Sequence, residues 1–430
     1  MSFNKAIFGS SIAIATAMLF SGCATPAPVA DESSYMAVID AGSSGTRINL
    51  FEGDATSSSV KVTTLLEFES PDSSGLSSFA ENPADVGEAE IQPLLDELGN
   101  FLAIRQISPQ DVPVYVLATA GMRNVAQADP AAVDAIYQDV TEAITADGFP
   151  AAEVATISGQ QEALFSWVDV NYDKGVFAGK ADPQGIVEIG GASSQIAFAT
   201  TGSGNNITPV NIAGQEFNVF GVSYLGMGQN DARAGILNPT DASAGNPCFP
   251  NNASGVDPTS YDMKNAVPVN ATQSSFNYDA CQQLYSDYLN KAALSPVNVE
   301  NTTGMMPADI SQVPGFAQSP FLGLASLKYA ASDFEADTAI NESEALISKV
   351  SEKCSGINAW PTVLEYLGGE VSQFSENSCA NATFVQTWTF TDAGLGINPE
   401  NLAVVSKING ITPTWMRGFV VLTLTGNSTK

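Results

Sequence analysis

Two short stretches combine the residue types that can grip an anion beside a cation. Residues 36–51, MAVIDAGSSGTRINLF, run from an aliphatic strand into Asp40, cross a turn of Gly and Ser, and resume at Thr46 and Arg47. Residues 185–199, GIVEIGGASSQIAFA, repeat the order around Glu188, 148 residues further on. Gly and Ser at a strand end let backbone N–H groups converge on an anion, because no bulky side chain blocks the approach, and the hydroxyls add donors. The carboxylate just ahead of each turn stands where it can hold a hydrated cation. One such turn alone reads as an ordinary hairpin. Two copies with the same acid–x–Gly order point to a clamp in which each half grips a different phosphate, with a metal between them.

The catalytic repertoire is narrow because the chain contains no histidine. That removes Ser-His-Asp and Cys-His nucleophiles, histidine-ligated zinc and imidazole acid–base catalysis. Carboxylates, hydroxyls, amides, a few cations and a hard metal remain. Glu162, at the start of a helical stretch in SGQQEALFSW, is a reasonable base for activating water. Seen in isolation it would equally be the solvated face of an amphipathic helix. Arg47 and Arg123 stand directly behind Gly-rich turns in a chain with only 16 basic residues, although either can be an ordinary surface cation. Trp167 and Tyr172 read as packing residues.

The elements that must position these groups alternate between strand and helix from residue 36 to about 150. MAVIDAG and TRINLFEG form a hairpin pattern, and VKVTTLLEFES is a further strand. NPADVGEAEIQPLLDELGNFLA has helical spacing at Ile91, Leu94, Leu95 and Leu98. DVPVYVLATAGMR reads as a buried strand running into a turn, and DPAAVDAIYQDVTEAITADG as a helix opened by Asp-Pro. EVATISGQQEALFSWVDVNY gives a strand, a Ser-Gly break and a helix. Residues 200–310 are rich in Gly, Asn, Ser, Thr and Pro with little periodicity, as expected for an elaborated surface region. Helical segments follow at ASLKYAASDFE and ALISKVSEKC, and TWMRGFVVLTLTG closes the chain as a helix turn or strand that can pack back on the first domain. Duplicated hairpins within strand–helix alternation imply two related α/β domains facing across a cleft.

At 430 residues, two or three domains are expected. With 46 acidic against 16 basic residues, the formal charge of −30 argues against nucleic-acid binding. It does not exclude small anions, because a bound divalent cation reverses the local field. Lys5 followed by AIFGSSIAIATAMLF reads as an export signal, too short for a mature span of roughly 20 apolar residues. It ends in FSGC, which resembles a lipobox with Cys23 as the acylated residue; an ordinary signal peptide cut nearby is the alternative. ATPAPVADESS then reads as a tether. The remaining cysteines, Cys248, Cys281, Cys354 and Cys379, form an even set suited to an oxidising compartment. Of three pairings, Cys248–Cys281 with Cys354–Cys379 is preferred because it closes short loops. The sequons NAT, NTT and NST read as surface loops without glycan.

DAGSSGTR (40–47), ATAGMR (118–123), SGQQEALFSWVDVNY (158–172), EIGGASSQ (188–195) and SYLGMGQNDAR (223–233) occur in this order. Together they resemble the five conserved regions of the apyrase, or nucleoside triphosphate diphosphohydrolase (NTPDase), family. GLSSFAENP (75–83) and the preferred cystines resemble it too. The resemblance runs from about residue 36 to the end and thins after 233. It implies paired RNase H-like domains of the actin, sugar-kinase and heat-shock-ATPase superfamily. It also implies hydrolysis of the terminal phosphate of nucleoside tri- and diphosphates with Ca2+ or Mg2+. By resemblance, Glu162 is the general base, and Ser193 and Gln195 hold the attacking water. Ser43, Ser44, Gly45, Thr46 and Arg47 make one phosphate loop; Gly190, Gly191 and Ala192 make the other. Thr119 and Arg123 line the same cleft. Asp40 and Glu188 orient the metal, mostly through its waters.

The chain departs from the family pattern in three places. Glu188 stands where the family usually has Asp, one methylene shorter. FLGLASLKYAASDFE retains few aromatics of the base-stacking segment, leaving Tyr329 as the stacking candidate. TWMRGF lacks the more typical Leu-Gly after Trp. The expected architecture is a signal peptide (1–22), a tether (23–34), domain I (35–150 with 396–430) and domain II (151–395). The expected protein is exported, lipid-anchored in the periplasm or at the cell surface, and monomeric. Two alternatives stay open: an exopolyphosphatase- or guanosine-pentaphosphatase-like hydrolase, and a nucleotide-binding surface protein with little turnover.

Overall fold

The computed structural model describes residues 34–70, 73–237, 245–251, 274–302, 304–335, 343–356, 359–369 and 373–427. The signal segment, Cys23 and the tether up to residue 33 lie outside the described residues.

The first sheet holds β1 (Ser34–Ala41), β2 (Thr46–Thr56), β3 (Ser59–Glu69), β4 (Val114–Ala118) and β5 (Ala151–Thr156), in the order β3-β2-β1-β4-β5. The second holds β6 (Gly185–Ile189), β7 (Ser193–Thr200), β8 (Ile207–Ile212), β9 (Gln215–Leu225), β10 (Phe321–Ala325) and β11 (Leu402–Val404), in the order β11-β10-β6-β7-β9-β8. In both, a first strand pairs antiparallel with the next and parallel with a later one, and another parallel strand completes that edge. The two RNase H-like halves expected from the duplicated hairpin are therefore present, with β8 added to the second.

Strand periodicity explains the layering. Ala37, Ile39 and Ala41 of β1 face one core while Met36 and Val38 face another. Alternate side chains point to opposite faces, so a strand that is apolar throughout must be covered on both. α1 (Gln92–Arg105), α2 (Ala120–Ala128) and α3 (Pro130–Ala146) accompany the outer face of the first sheet. α4 (Gly159–Asp173) lies on the inner face of the second. The second sheet's outer face carries α5 (Gln229–Gly235), α6 (Tyr278–Ala293), α8 (Ser326–Asp333), α9 (Ser343–Cys354), α10 (Ala359–Tyr366) and α11 (Gln373–Phe390), while α7 (Pro296–Asn301) is bonded through Asn298 to Leu225 at the end of β9. α12 (Trp415–Leu424) packs on both α4 and the first sheet, so one central core joins the two halves. At the α4–α12 crossing a Cβ on Gly418 would lie 1.9 Å from the Phe165 carbonyl oxygen, so only glycine permits this approach. Beside it, buried Arg417 pairs with Asp169 at 2.6 Å and with Asp173, both on α4.

Several expectations need correction. The boundary at 150 is too early, because β5 (151–156) belongs to the first sheet. The return expected at 396 is also too early, since β11 pairs with β10 in the second. Residues 200–310 contain β8 and β9, whose β-branched and aromatic content was masked by surrounding Gly and Asn. Of the two states left open for the closing TWMRGF segment, it adopts the helix. Asn381 of one NAT sequon lies in α11 and accepts a hydrogen bond from Arg233 at 2.8 Å, so this sequon is not a surface loop. Both preferred disulfides are present, Cys248–Cys281 and Cys354–Cys379. Among the described residues no helix is long and apolar enough to cross a membrane.

Candidate active site

The two Gly/Ser turns are structural copies. In the first, Asp40 lies opposite Arg47 in the β1–β2 register and Gly42 N donates to Gly45 O at 3.0 Å. In the second, Glu188 lies opposite Gln195 and Gly190 N donates to Ser193 O at 2.9 Å. The 148-residue offset thus relates the acids, the residues opposite them and the turn bonds. The turns also meet: a Cβ on Gly191 would lie 2.8 Å from the Ser43 hydroxyl and 3.1 Å from the Asn230 amide nitrogen. Ala192 packs against Ala120 from the opposite half.

Each turn is braced from behind. Thr46 N donates to Ser73 Oγ at 2.5 Å, and that hydroxyl in turn donates to buried Glu90. Glu90 also accepts from Gly75 N at 2.9 Å and Ser74 N at 3.2 Å. This strut was not foreseen; the GLSSFAENP motif was the only signal near it. The second turn rests on the start of α5, where Gln229 N and Asn230 N donate to Gly190 O and Gly191 O at 2.9 and 2.8 Å. A Cβ on Gly228 would lie 2.3 Å from the Gly191 backbone, which explains the glycines of SYLGMGQN.

Glu162 sits where the halves meet. Ser158 caps α4, its hydroxyl accepting from Gln161 N while the Gln161 side chain returns to Ser158 N. This capping box fixes the first turn and with it the direction of Glu162. The Glu162 carboxylate is buried and paired with Arg123 of α2, so ATAGMR runs into a helix rather than a plain turn. The Arg123 guanidinium also approaches Ser193 Oγ at 3.4 Å and Ser223 Oγ at 3.5 Å. Gln195 Nε2 donates to Ser193 Oγ at 2.6 Å and to Ser223 Oγ at 3.0 Å. Residues 123, 162, 193 and 195 therefore form one hydrogen-bonded group across the cleft, joined by Ser223, to which no individual role was assigned from sequence.

Burial dominates the electrostatics. It pushes Glu162 up to about 7, opposed by Arg123 and reinforced by Glu188. Burial likewise pushes Asp40 up to about 6 against the pull of Arg47, with Glu162 and Glu69 reinforcing the rise. It raises Glu188 as well, where Ser166 opposes by hydrogen bonding and Asp40 reinforces. Three carboxylates in mutual repulsion make a site that attracts a cation. Asp40 Oδ1, Thr46 Oγ1 and Arg123 Nε are buried with no hydrogen-bond partner. Trp415, also unforeseen, lies beside the Asp40 carboxylate at the start of α12 and opposes the rise, less than Arg47 does. The donors suit a hard cation: Asp40 and Glu188 offer oxygen alone, and no cluster of three or more His, Cys, Asp or Glu side chains able to hold a metal occurs among the described residues. Water and phosphate would have to complete its shell. Tyr329 is 68% exposed on α8, within the electrostatic reach of Arg47. It follows Ala325, a non-glycine residue at φ +51°, which turns β10 into α8.

A 530 Å³ pocket lined by Pro209, Val210, Asn211, Glu216, Phe217, Asn218 and Asn427 involves none of these residues.

The chain shares 27% identity with the Golgi apyrase of Saccharomyces cerevisiae over 91% of its own length and 70% of that protein. It shares 30% with bovine (Bos taurus) ectonucleoside triphosphate diphosphohydrolase 1 over 56% of this chain and 51% of that one. It thus spans about half the length of the bovine relative and more of the yeast one. The crystal structure of a nucleoside triphosphate hydrolase from Neospora caninum superposes with a TM-score of 0.59 at 15% identity, covering 92% of this chain and 93% of the other, and shares the fold. Residues 27–430 match the GDA1/CD39 (nucleoside phosphatase) family, and the chain belongs to it.

Proposed function

We propose that this protein hydrolyses the terminal phosphoanhydride of nucleoside tri- and diphosphates, with Ca2+ or Mg2+ held between Asp40 and Glu188. The observation that carries the reading is the position of Glu162: buried, bonded to Arg123, and beside Ser193 and Gln195 where the two turns meet. Ser43, Ser44, Gly45, Thr46 and Arg47 hold the phosphates on one side, and Gly190, Gly191 and Ala192 on the other. Ser193 and Gln195 orient a water in line with the terminal phosphorus. Glu162 takes its proton as the new P–O bond forms and the bridging P–O bond breaks, with no covalent intermediate. The cation, when bound, supplies charge neutralisation on the phosphate oxygens. Thr119, at the N-cap position of α2 with its side chain free of any cap bond, and Arg123 line the wall of the cleft. Tyr329 offers a face on which a nucleobase can stack.

The experiment is a phosphate-release panel with ATP, ADP, GTP, UDP, AMP and polyphosphate, with and without divalent cation. Release from tri- and diphosphates but not from AMP, dependent on the cation, is the expected result. Cleavage of polyphosphate alone would refute the nucleotide assignment. Export with acylation at Cys23 is part of the same reading, supported by the lipobox-like start and the two disulfides. Loss of labelled-lipid incorporation in Cys23→Ala would test it.

A further inference from the structure

The equivalent acids of the duplicated turn differ in length and in what holds them. Asp40 is held by Arg47 across the hairpin. Glu188 is one methylene longer, and the residue opposite it is Gln195 rather than a cation. Its anchor comes from elsewhere: Ser166 Oγ donates to Glu188 Oε2 at 2.6 Å. Ser166 is only 2% exposed and stands four residues after Glu162 on α4, so the two project from the same helix face. Oε2 is thereby fixed beside α4, bonded to a residue one helical turn (about 5.4 Å along the axis) after Glu162. No hydrogen bond reaches Glu188 Oε1 among the described residues, and the side chain is half-buried.

We infer that Ser166 is a positioning residue that ties one oxygen of Glu188 back against α4 and so biases the cleft toward Mg2+ over Ca2+. This rests on the functional reading above. Ca2+ accepts six to eight oxygens at variable geometry, including both oxygens of one carboxylate, whereas Mg2+ holds its waters in a strict octahedron. A glutamate with one oxygen tied to a hydroxyl keeps lone pairs for an ion but loses freedom to turn both oxygens onto a larger one, so it is better suited to orienting a hydrated ion. Freeing it favours the larger ion.

The test is calorimetric titration of Ca2+ and of Mg2+, separately, into protein saturated with β,γ-methylene ATP. In Ser166→Ala the ratio of the two dissociation constants is expected to move toward Ca2+ by about tenfold, the low end of the scale of a hydrogen bond to a charged group. In a Glu188→Asp background the same change should move it less than about twofold, because aspartate is too short to use the tether. Ser166→Thr, which keeps the hydroxyl, should retain the parent ratio. An unchanged ratio in folded Ser166→Ala, or equal shifts in both backgrounds, overturns the inference. If the parent binds neither cation, the inference falls together with the functional reading. If the parent binds both and hydrolyses ATP while the ratio stays fixed, the tether alone falls.

Discussion

Replacing Glu162 with Gln removes the proton acceptor while keeping the side chain's shape and an oxygen for Arg123. Glu162 is buried, raised to about 7, and held at the meeting point of the two turns. A positioned base contributes about 10²–10⁴-fold, so kcat should fall by that factor, equivalent to about 3–5.5 kcal/mol of barrier. The pH profile carries a second signature. The ionised carboxylate is the active form, so the parent's rate should rise about tenfold per unit on the acid side and then level off, with the midpoint drawn by the bound cation below the metal-free value of about 7. The Gln variant should lack that limb. The assay is phosphate release from ATP at saturating divalent cation from pH 5 to 9, with a thermal melt to confirm folding. A loss of less than about tenfold, or an acid limb persisting at the same midpoint, would show that Glu162 is not the base.

Gly191→Ala should place a methyl against Ser43 and the Asn230 amide, narrowing the gap between the turns. A fall of about 5- to 100-fold in kcat/KM for ATP with little change in melting temperature is expected, from an overpacking penalty of about 1–3 kcal/mol. Arg417→Met leaves Asp169 and Asp173 buried without their cation and should cost about 3–5 kcal/mol, read as a lower urea midpoint. In the metal-free protein Asp40 and Glu162 bind protons more tightly folded than unfolded, so their stabilising contribution is present at acid pH and lost as pH rises toward 7. Urea midpoints in chelator should therefore decline over that range, less steeply in Glu162→Gln, and saturating Ca2+ or Mg2+ should offset the decline by binding only the folded state.

The residues proposed to perform the chemistry were singled out by local pattern at the two turns and, for their individual roles, by the resemblance of the five motifs to a family. Asp40 and Glu188 precede their turns by sequence alone, and the hairpins form because apolar alternation and Gly/Ser breaks dictate them. Glu162 follows its capping box within four residues of Ser158. β8 and β9 were missed because they lie in a Gly- and Asn-rich region where periodicity is faint, and their pairing with each other and with β7 is what defines them. α12 was ambiguous because an apolar segment of ten residues suits either element. Its helical state is settled by burial against α4 and the first sheet.

Sequence by itself therefore determined the duplication, the even set of four cysteines after Cys23, the absence of imidazole chemistry and the identity of the acids ahead of each turn. All of these are properties of neighbours along the chain or of composition. Only the tertiary structure decided that Ser43 faces Gly191, that Arg123 reaches Glu162, that Glu90 braces the first turn and that Ser166 holds Glu188. Each of those contacts joins separate elements, some of them from opposite halves, and their distances are fixed by how α4 and α12 pack between two sheets. No local spacing encodes that packing.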